Sequence, residues 1–144
     1  MTGDHWTGVN LVWSKKSVII FCRLLKQCPD PLLIHAGINN VSKKDLNAKT
    51  VADQIIDIAR SSTERGVNDV FISSIIIRKE FRSQKRANEL NAILQSLASE
   101  NGYIFIDNST NTLEHVCDDG VHLLESGLTI LANNFLVQLA HFLR

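Results

Sequence analysis

From residue 32 onward, short apolar runs alternate with longer segments of helical periodicity, and this alternation constrains the fold more than any other feature of the sequence. The runs at residues 32–36, 69–75 and 103–107 are brief and bounded by turn residues, as buried strands are. Two amphipathic segments lie between them, and residues 126–144 carry the clearest apolar stripe. The order strand, helix, strand, helix, strand, loop, helix predicts a three-layer α/β/α fold with a mostly parallel sheet.

The two inner helices have recognisable ends. Helical spacing covers residues 42–65, and Gly66 follows as a C-cap residue; the second helix has Leu90 to Ala98 on its apolar face and is closed by Gly102. A charged stretch from Arg78 to Arg86 is expected to separate the second strand from this helix. Residues 17–22 could supply one more strand near the start of the chain.

Length and charge limit the classes of protein to consider. The 144 residues suit a single domain, and 15 basic residues balance 15 acidic ones. A formal net charge of zero argues against a general nucleic-acid-binding surface, which needs clustered positive charge. The stretch from Arg78 to Arg86 is a candidate phosphate contact, but its interspersed acidic residues favour a solvated loop and helix start.

Cysteine usage and hydropathy indicate the compartment. The chain has three cysteines at irregular spacing, Cys22, Cys28 and Cys117. An odd number without regular spacing favours a reducing compartment over a disulfide framework. We see no signal peptide and no run approaching the ~20 apolar residues that span a bilayer. The sequence therefore predicts a cytoplasmic protein without a membrane segment.

Polar side chains cluster where the predicted strands end. One cluster follows the first strand at residues 35–40, another is Ser73 with Ser74, and a third occupies residues 107–122. Ligands of open α/β sheets bind at the carboxyl ends of the strands. We therefore expect a functional site to draw on these three clusters.

Two short motifs within these clusters suit acyl-transfer chemistry. Asp119 and His122 are three residues apart, so the carboxylate can orient the imidazole and leave its other nitrogen as a general base. Gly37 permits close backbone approach, and the amide of Asn39 can donate to an oxyanion. Taken singly, each motif is also compatible with an ordinary turn.

Together, the Gly37-Ile38-Asn39-Asn40 block and the later Asp119-Gly120-Val121-His122 block resemble the SGNH (GDSL-like) hydrolases in kind and order. The resemblance covers about residues 29–143. Within the family, the chain is particularly similar to the SGNH domains of animal retroelement open reading frames. It implies one flavodoxin-like domain over residues 1–144, incomplete at its N-terminus and lacking the first strand.

The resemblance also implies roles for individual residues. It implies a serine hydrolase for an ester or acetyl group, without cofactor, in which Asp119 is the acid, His122 the base, and Asn39 with Gly37 serve the oxyanion. The nucleophile block matches poorly, since Gly3-Asp4-His5 places His5 where the family has its serine. Between Gly8 and Gly37 there is no glycine to match the second block.

These departures predict an esterase that is catalytically impaired. The alternative is a non-catalytic domain of a mobile-element protein that binds a ligand or partner. An active form would take a small ester or acetylated substrate, and an uncovered sheet edge would permit self-association. His115, Cys117 and His122 could suggest a metal site, but no second ligand cluster supports it, so we predict none.

Overall fold

A computed structural model describes the backbone of residues 9–13, 17–22, 31–37, 41, 43–45 and 47–140, and the side chains from residue 31 onward within those ranges. One sheet has the spatial order β1-β2-β3-β4-β5. Its strands are β1 (Val9–Trp13), β2 (Ser17–Cys22), β3 (Leu32–Ala36), β4 (Val70–Ser73) and β5 (Ile104–Ile106). The helices are α1 (Ala48–Glu64), α2 (Phe81–Asn101) and α3 (Glu125–Leu139), with a 3-10 helix at Leu113–His115.

Strands β3, β4 and β5 are parallel, and α1 and α2 are the crossovers between them. The register places Ile34 beside Ile72 and Ile72 beside Phe105. The predicted order of elements from residue 32 and the α/β fold class are therefore confirmed.

Strands β1 and β2 run antiparallel to each other, and β2 runs antiparallel to β3. The strand at residues 17–22 was predicted, whereas β1 was not. Chain length explains the direction of both pairings. A parallel neighbour needs a crossover of about a dozen residues or more, and residues 14–16 and 23–31 are too few for one.

The two faces of the sheet carry cores of unequal size. Alternate strand residues point to opposite faces, so Ile34 and Ile72 pack against α1 and α2, whereas Leu33 and Phe71 pack on the α3 side. The larger core lies under α1 and α2, where its buried members are Leu32, Ile34, Ala36, Val41, Val51, Ala52, Ile55, Ala59, Val70, Ile72, Ile75, Ala87, Leu90, Leu94 and Ala98. The smaller core, on the α3 side, consists of Leu33, Phe71, Ile106 and Leu139 with Phe135 against them.

The apolar stripe of α3 is only partly covered in the described part of the chain. Leu139 is buried, but Leu128 is 54% exposed and Leu136 is 40% exposed. The predicted continuation of this helix over residues 141–144 lies outside the described residues. Among the helices that are described, none is long and apolar enough to cross a membrane.

Two helix starts differ from the sequence-based expectation. Helix α1 begins at Ala48 rather than near residue 42, because the Asn47 side chain accepts the Thr50 amide hydrogen and caps the helix there. Helix α2 begins at Phe81, with Glu80 as its N-cap. The charged stretch predicted to precede α2 therefore lies partly within its first turns.

Candidate active site

Asp119 and His122 form a hydrogen-bonded pair in the loop between β5 and α3. His122 Nδ1 lies 2.5 Å from Asp119 Oδ2, while Asp119 Oδ1 accepts the backbone amides of Val121 at 2.9 Å and His122 at 3.0 Å. Both oxygens of the carboxylate are thus engaged within one turn. The ring of His122 is held with Nδ1 toward the carboxylate, and its side chain is 79% exposed.

The electrostatics of this turn favour an ionised carboxylate. The His122 side chain, followed by the backbone amides of Val121 and His122, holds the pKa of Asp119 well below its usual range. A carboxylate in this position fixes the imidazole orientation and stabilises an imidazolium when it forms. The arrangement can therefore accept a proton at Nε2 of His122 while Asp119 remains charged.

The backbone around the pair closes a tight turn. Cys117 N donates to His122 O at 2.7 Å, and Gly120 N donates to Cys117 O at 2.9 Å. Lys79 N, in the segment that follows β4, donates to Gly120 O at 3.2 Å. The loops that leave the carboxyl ends of β4 and β5 are therefore joined at Gly120.

Gly120 is suited to this junction by its conformation and by its lack of a side chain. Its φ is +76°, and a Cβ there would lie 2.9 Å from Lys79 Cβ. Gly102 has a similar φ of +74° but no atom within 4 Å of a built Cβ. A side chain at either position would strain the backbone, but only a side chain at position 120 would also contact a neighbouring residue.

We expect Gly120→Ala to lower the free energy of unfolding by about 2–3 kcal/mol, because strain and contact with Lys79 act together. Gly102→Ala should cost only about 1 kcal/mol, from strain alone. Urea unfolding of both variants measures the difference. Equal losses would show that the contact with Lys79 is relieved without cost.

The three predicted polar clusters meet, although they do so beneath the surface. Asn108 N donates to Ser74 Oγ at 2.8 Å, and Asn108 Nδ2 donates to Ser73 Oγ at 2.7 Å and to Ser74 O at 2.8 Å. His35 Nδ1 lies 2.8 Å from Ser73 Oγ. On the other side, Asn134 Nδ2 of α3 donates to Asn108 Oδ1 at 3.2 Å. We call these five residues the buried network, although only Ser73, Ser74 and Asn108 are fully buried and the other two are half-buried.

The pair of His35 and Ser73 resembles a catalytic serine–histidine pair in its contact but not in its surroundings. Ser73 is 1% exposed and also accepts a hydrogen bond from Asn108. Burial lowers the pKa of His35 to about 4, and its ring packs edge-on against Phe135 at 5.7 Å. This pair therefore links β3 to β4, and α3 packs against its histidine through Phe135.

The other predicted site residues have mixed outcomes. Gly37 is buried with φ +97°, and a Cβ there would lie 3.0 Å from Ile75 Cδ1, so the position requires glycine. Asn39 and His5 lie outside the described residues. In the described ranges, no three His, Cys, Asp or Glu side chains are grouped so that they could hold a metal ion; His115 Nδ1 instead accepts the Thr112 amide.

Sequence reasoning missed Asn108, Asn134 and the burial of Arg78. Asn108 belongs to a cluster that was predicted, but nothing in its local sequence distinguishes it from its neighbours. Arg78, expected in a solvated segment, is 5% exposed. Asn108 and Asn134 are defined by contacts with residues distant in the chain, which a local pattern does not encode.

No protein-family model matches the chain, and no curated protein matches it in sequence. Solved structures do match. A GDSL-like lipase from Bacteroides thetaiotaomicron superposes with a TM-score of 0.63 at 22% identity, over 75% of this chain and 60% of that one. A putative acylhydrolase from Bacteroides fragilis gives 0.69 at 18%, over 78% and 62%. An acetylxylan esterase from Geobacillus stearothermophilus gives 0.64 at 18%, over 78% and 60%.

These structural neighbours share the fold of this chain at low sequence identity. The chain spans only 60% to 62% of the length of each of them. The fold is therefore that of GDSL-like, SGNH-type hydrolases.

Proposed function

We propose that this chain is an SGNH-type esterase domain for ester or acetyl substrates and that its hydrolytic activity is impaired. His122 is the base, Asp119 the acid that orients it, and Asn39 with Gly37 the oxyanion residues. The observation that carries the proposal is the His122–Asp119 hydrogen bond in the loop that follows the last parallel strand. The neighbours with this fold are described as a GDSL-like lipase, a putative acylhydrolase and an acetylxylan esterase, which is why an acyl ester is the proposed substrate class.

The geometry of the pair suits ester hydrolysis in one respect. In serine hydrolysis the imidazole removes a proton from the nucleophile at one ring nitrogen while the carboxylate holds the other. Here Nδ1 is held by Asp119, and the high exposure of the ring leaves Nε2 accessible from solvent. A nucleophile and a carbonyl group can approach from that side.

Impairment is proposed because the nucleophile is missing from the position that the family motif gives it. His5 stands there, and an imidazole cannot replace an alcohol as the nucleophile without changing the chemistry. In the part of the chain that the structure describes, no serine hydroxyl hydrogen-bonds to His122.

The first test is hydrolysis of p-nitrophenyl acetate by the purified chain. We expect the rates of the native chain and of His122→Ala to agree within about twofold, because His5 stands where the family motif has the serine that His122 would activate. His115→Ala is a matched control for loss of a histidine. A rate more than about tenfold above that of His122→Ala would contradict the impairment and leave the esterase assignment standing.

A second measurement tests the ester site itself. Ethyl acetate, added to the ¹⁵N-labelled chain, should shift the NMR signals of the His122 ring and the Gly120 amide in a saturable manner. The same titration of Asp119→Ala should lose the effect, because the ring is no longer oriented. Absence of a shift at both residues in the native chain would contradict the proposed ester-binding site.

A further inference from the structure

We propose that a basic pocket at the start of α2 binds the phosphate group of a phosphorylated small molecule. The pocket is a cavity of about 490 Å³ lined by Lys44, Arg78, Glu80, Arg82, Ser83 and Arg86. This volume falls within the range of roughly 300–1,000 Å³ that small-molecule sites occupy. The proposal does not depend on whether His122 is catalytic.

The charge of the lining favours an anion. Four cationic side chains face one carboxylate in a chain whose formal net charge is zero, so positive charge is locally concentrated. The carboxylate of Glu80 is already committed to capping α2, since it accepts the amides of Arg82 at 3.2 Å and Ser83 at 2.5 Å. An incoming phosphate would therefore be held by side chains and not by the helix terminus.

Arg86 is fixed in the wall of the pocket by the protein itself. Its Nε donates to Val41 O at 2.6 Å, and its Nη2 donates to Ser83 Oγ at 3.4 Å. A guanidinium that is already ordered loses little conformational entropy when it binds an oxyanion, and its planar fork matches phosphate geometry. Arg86 is thus preorganised for the proposed ligand.

Arg78 is a cationic side chain that is buried in the same wall. It is 5% exposed, and this burial lowers the pKa of its guanidinium, while the charges of Glu80 and Asp119 act in the opposite direction. A phosphate bound in the pocket would add a further negative charge near this guanidinium, beside those of Glu80 and Asp119.

The shape of the site favours a small ligand over a nucleic acid. A polyanion needs positive charge distributed along an extended surface, whereas these cations converge on one cavity. Lys79, which follows Arg78 in the chain, donates its backbone amide to Gly120 O at 3.2 Å, so the pocket adjoins the loop of the candidate active site. The chemical class of ligand is therefore a phosphate monoester or inorganic phosphate.

Calorimetric titration with phenyl phosphate and with inorganic phosphate at constant ionic strength tests the proposal. Lys44 and Arg82 are exposed, so the double variant Lys44→Gln/Arg82→Gln should fold normally. We expect saturable binding to the native chain and an affinity about tenfold to a hundredfold lower for this variant, because two charge-assisted contacts are lost. The matched control is Arg65→Gln/Lys85→Gln, which removes the same charge from exposed positions outside the pocket and should stay within about twofold of the native affinity.

The titration arms distinguish the sources of phosphate. If phenyl phosphate binds more tightly than inorganic phosphate, the ligand is an organic monoester; if the two bind equally, it is the free ion. Either result supports the proposed pocket. Equal losses in the two double variants would overturn the proposal, since binding would then reflect general charge. Binding of a single-stranded oligonucleotide without saturable binding of either phosphate would overturn it in favour of a nucleic-acid surface, and absence of all binding would overturn it outright.

Discussion

Replacing Asn108 with aspartate is expected to lower the free energy of unfolding by about 3–5 kcal/mol at neutral pH. The residue is 2% exposed, and its amide nitrogen donates to Ser73 Oγ and Ser74 O. A carboxylate oxygen in place of that nitrogen would face the Ser74 carbonyl oxygen at short range. The new group must either carry a buried charge or bind a proton at neutral pH, and both are unfavourable.

Urea unfolding measures this loss, and Asn88→Asp is the matched control. Asn88 is exposed, and its side-chain oxygen accepts a hydrogen bond from Gln84, which an aspartate preserves. The control should change stability by less than about 0.5 kcal/mol. The destabilisation by Asn108→Asp should also shrink as the pH falls and the new carboxyl group is protonated. A loss no larger than that of the control would show that the buried network contributes little.

Stability should also fall by about 3 kcal/mol between pH 6.5 and pH 4 through His35 alone. Burial lowers the pKa of this histidine from 6.5 to about 4 in the folded chain. Within that window the unfolded chain binds a proton that the folded chain excludes, so acidification favours unfolding. The contribution of His35 to the free energy of unfolding is therefore complete above pH 6.5 and is lost progressively as the pH falls toward 4.

Unfolding curves of the native chain and of His35→Asn, measured across this range, isolate the effect because both share every carboxylate. The variant should be less stable than the native chain at pH 7. Between pH 6.5 and pH 4, however, its free energy of unfolding should fall by about 3 kcal/mol less than that of the native chain. Parallel curves for the native chain and His35→Asn would contradict the assignment.

Local patterns were sufficient to predict one part of the fold. Hydrophobic periodicity located β3, β4, β5 and the three helices, because strand and helix periods differ and each of these elements buries one face. The same reasoning did not find β1 or the antiparallel direction of β2. That direction follows from short connections, which become informative only once both strands are known.

The site shows the same division between local and distant contacts. Asp119 and His122 are three residues apart, so their contact could be inferred from spacing alone. The burial of Arg78 could not be inferred in this way, because the spacing of charged residues does not show which side chain the folded chain covers. The stretch from Arg78 to Arg86 was expected to be solvated because acidic residues are interspersed in it, although Arg78 is among the buried residues of the chain.

The buried network has a consequence for the order in which the chain folds. The Asp119–His122 contact closes a loop of three residues and can form early, even in a short fragment. The network joins Ser73 to Asn108 and Asn108 to Asn134, across separations of 35 and 26 residues. The Ser73–Asn108 and Asn108–Asn134 contacts can form only once the parallel strands and α3 have assembled. We therefore expect the Asp119–His122 turn to form first and to reach its position beside the sheet later.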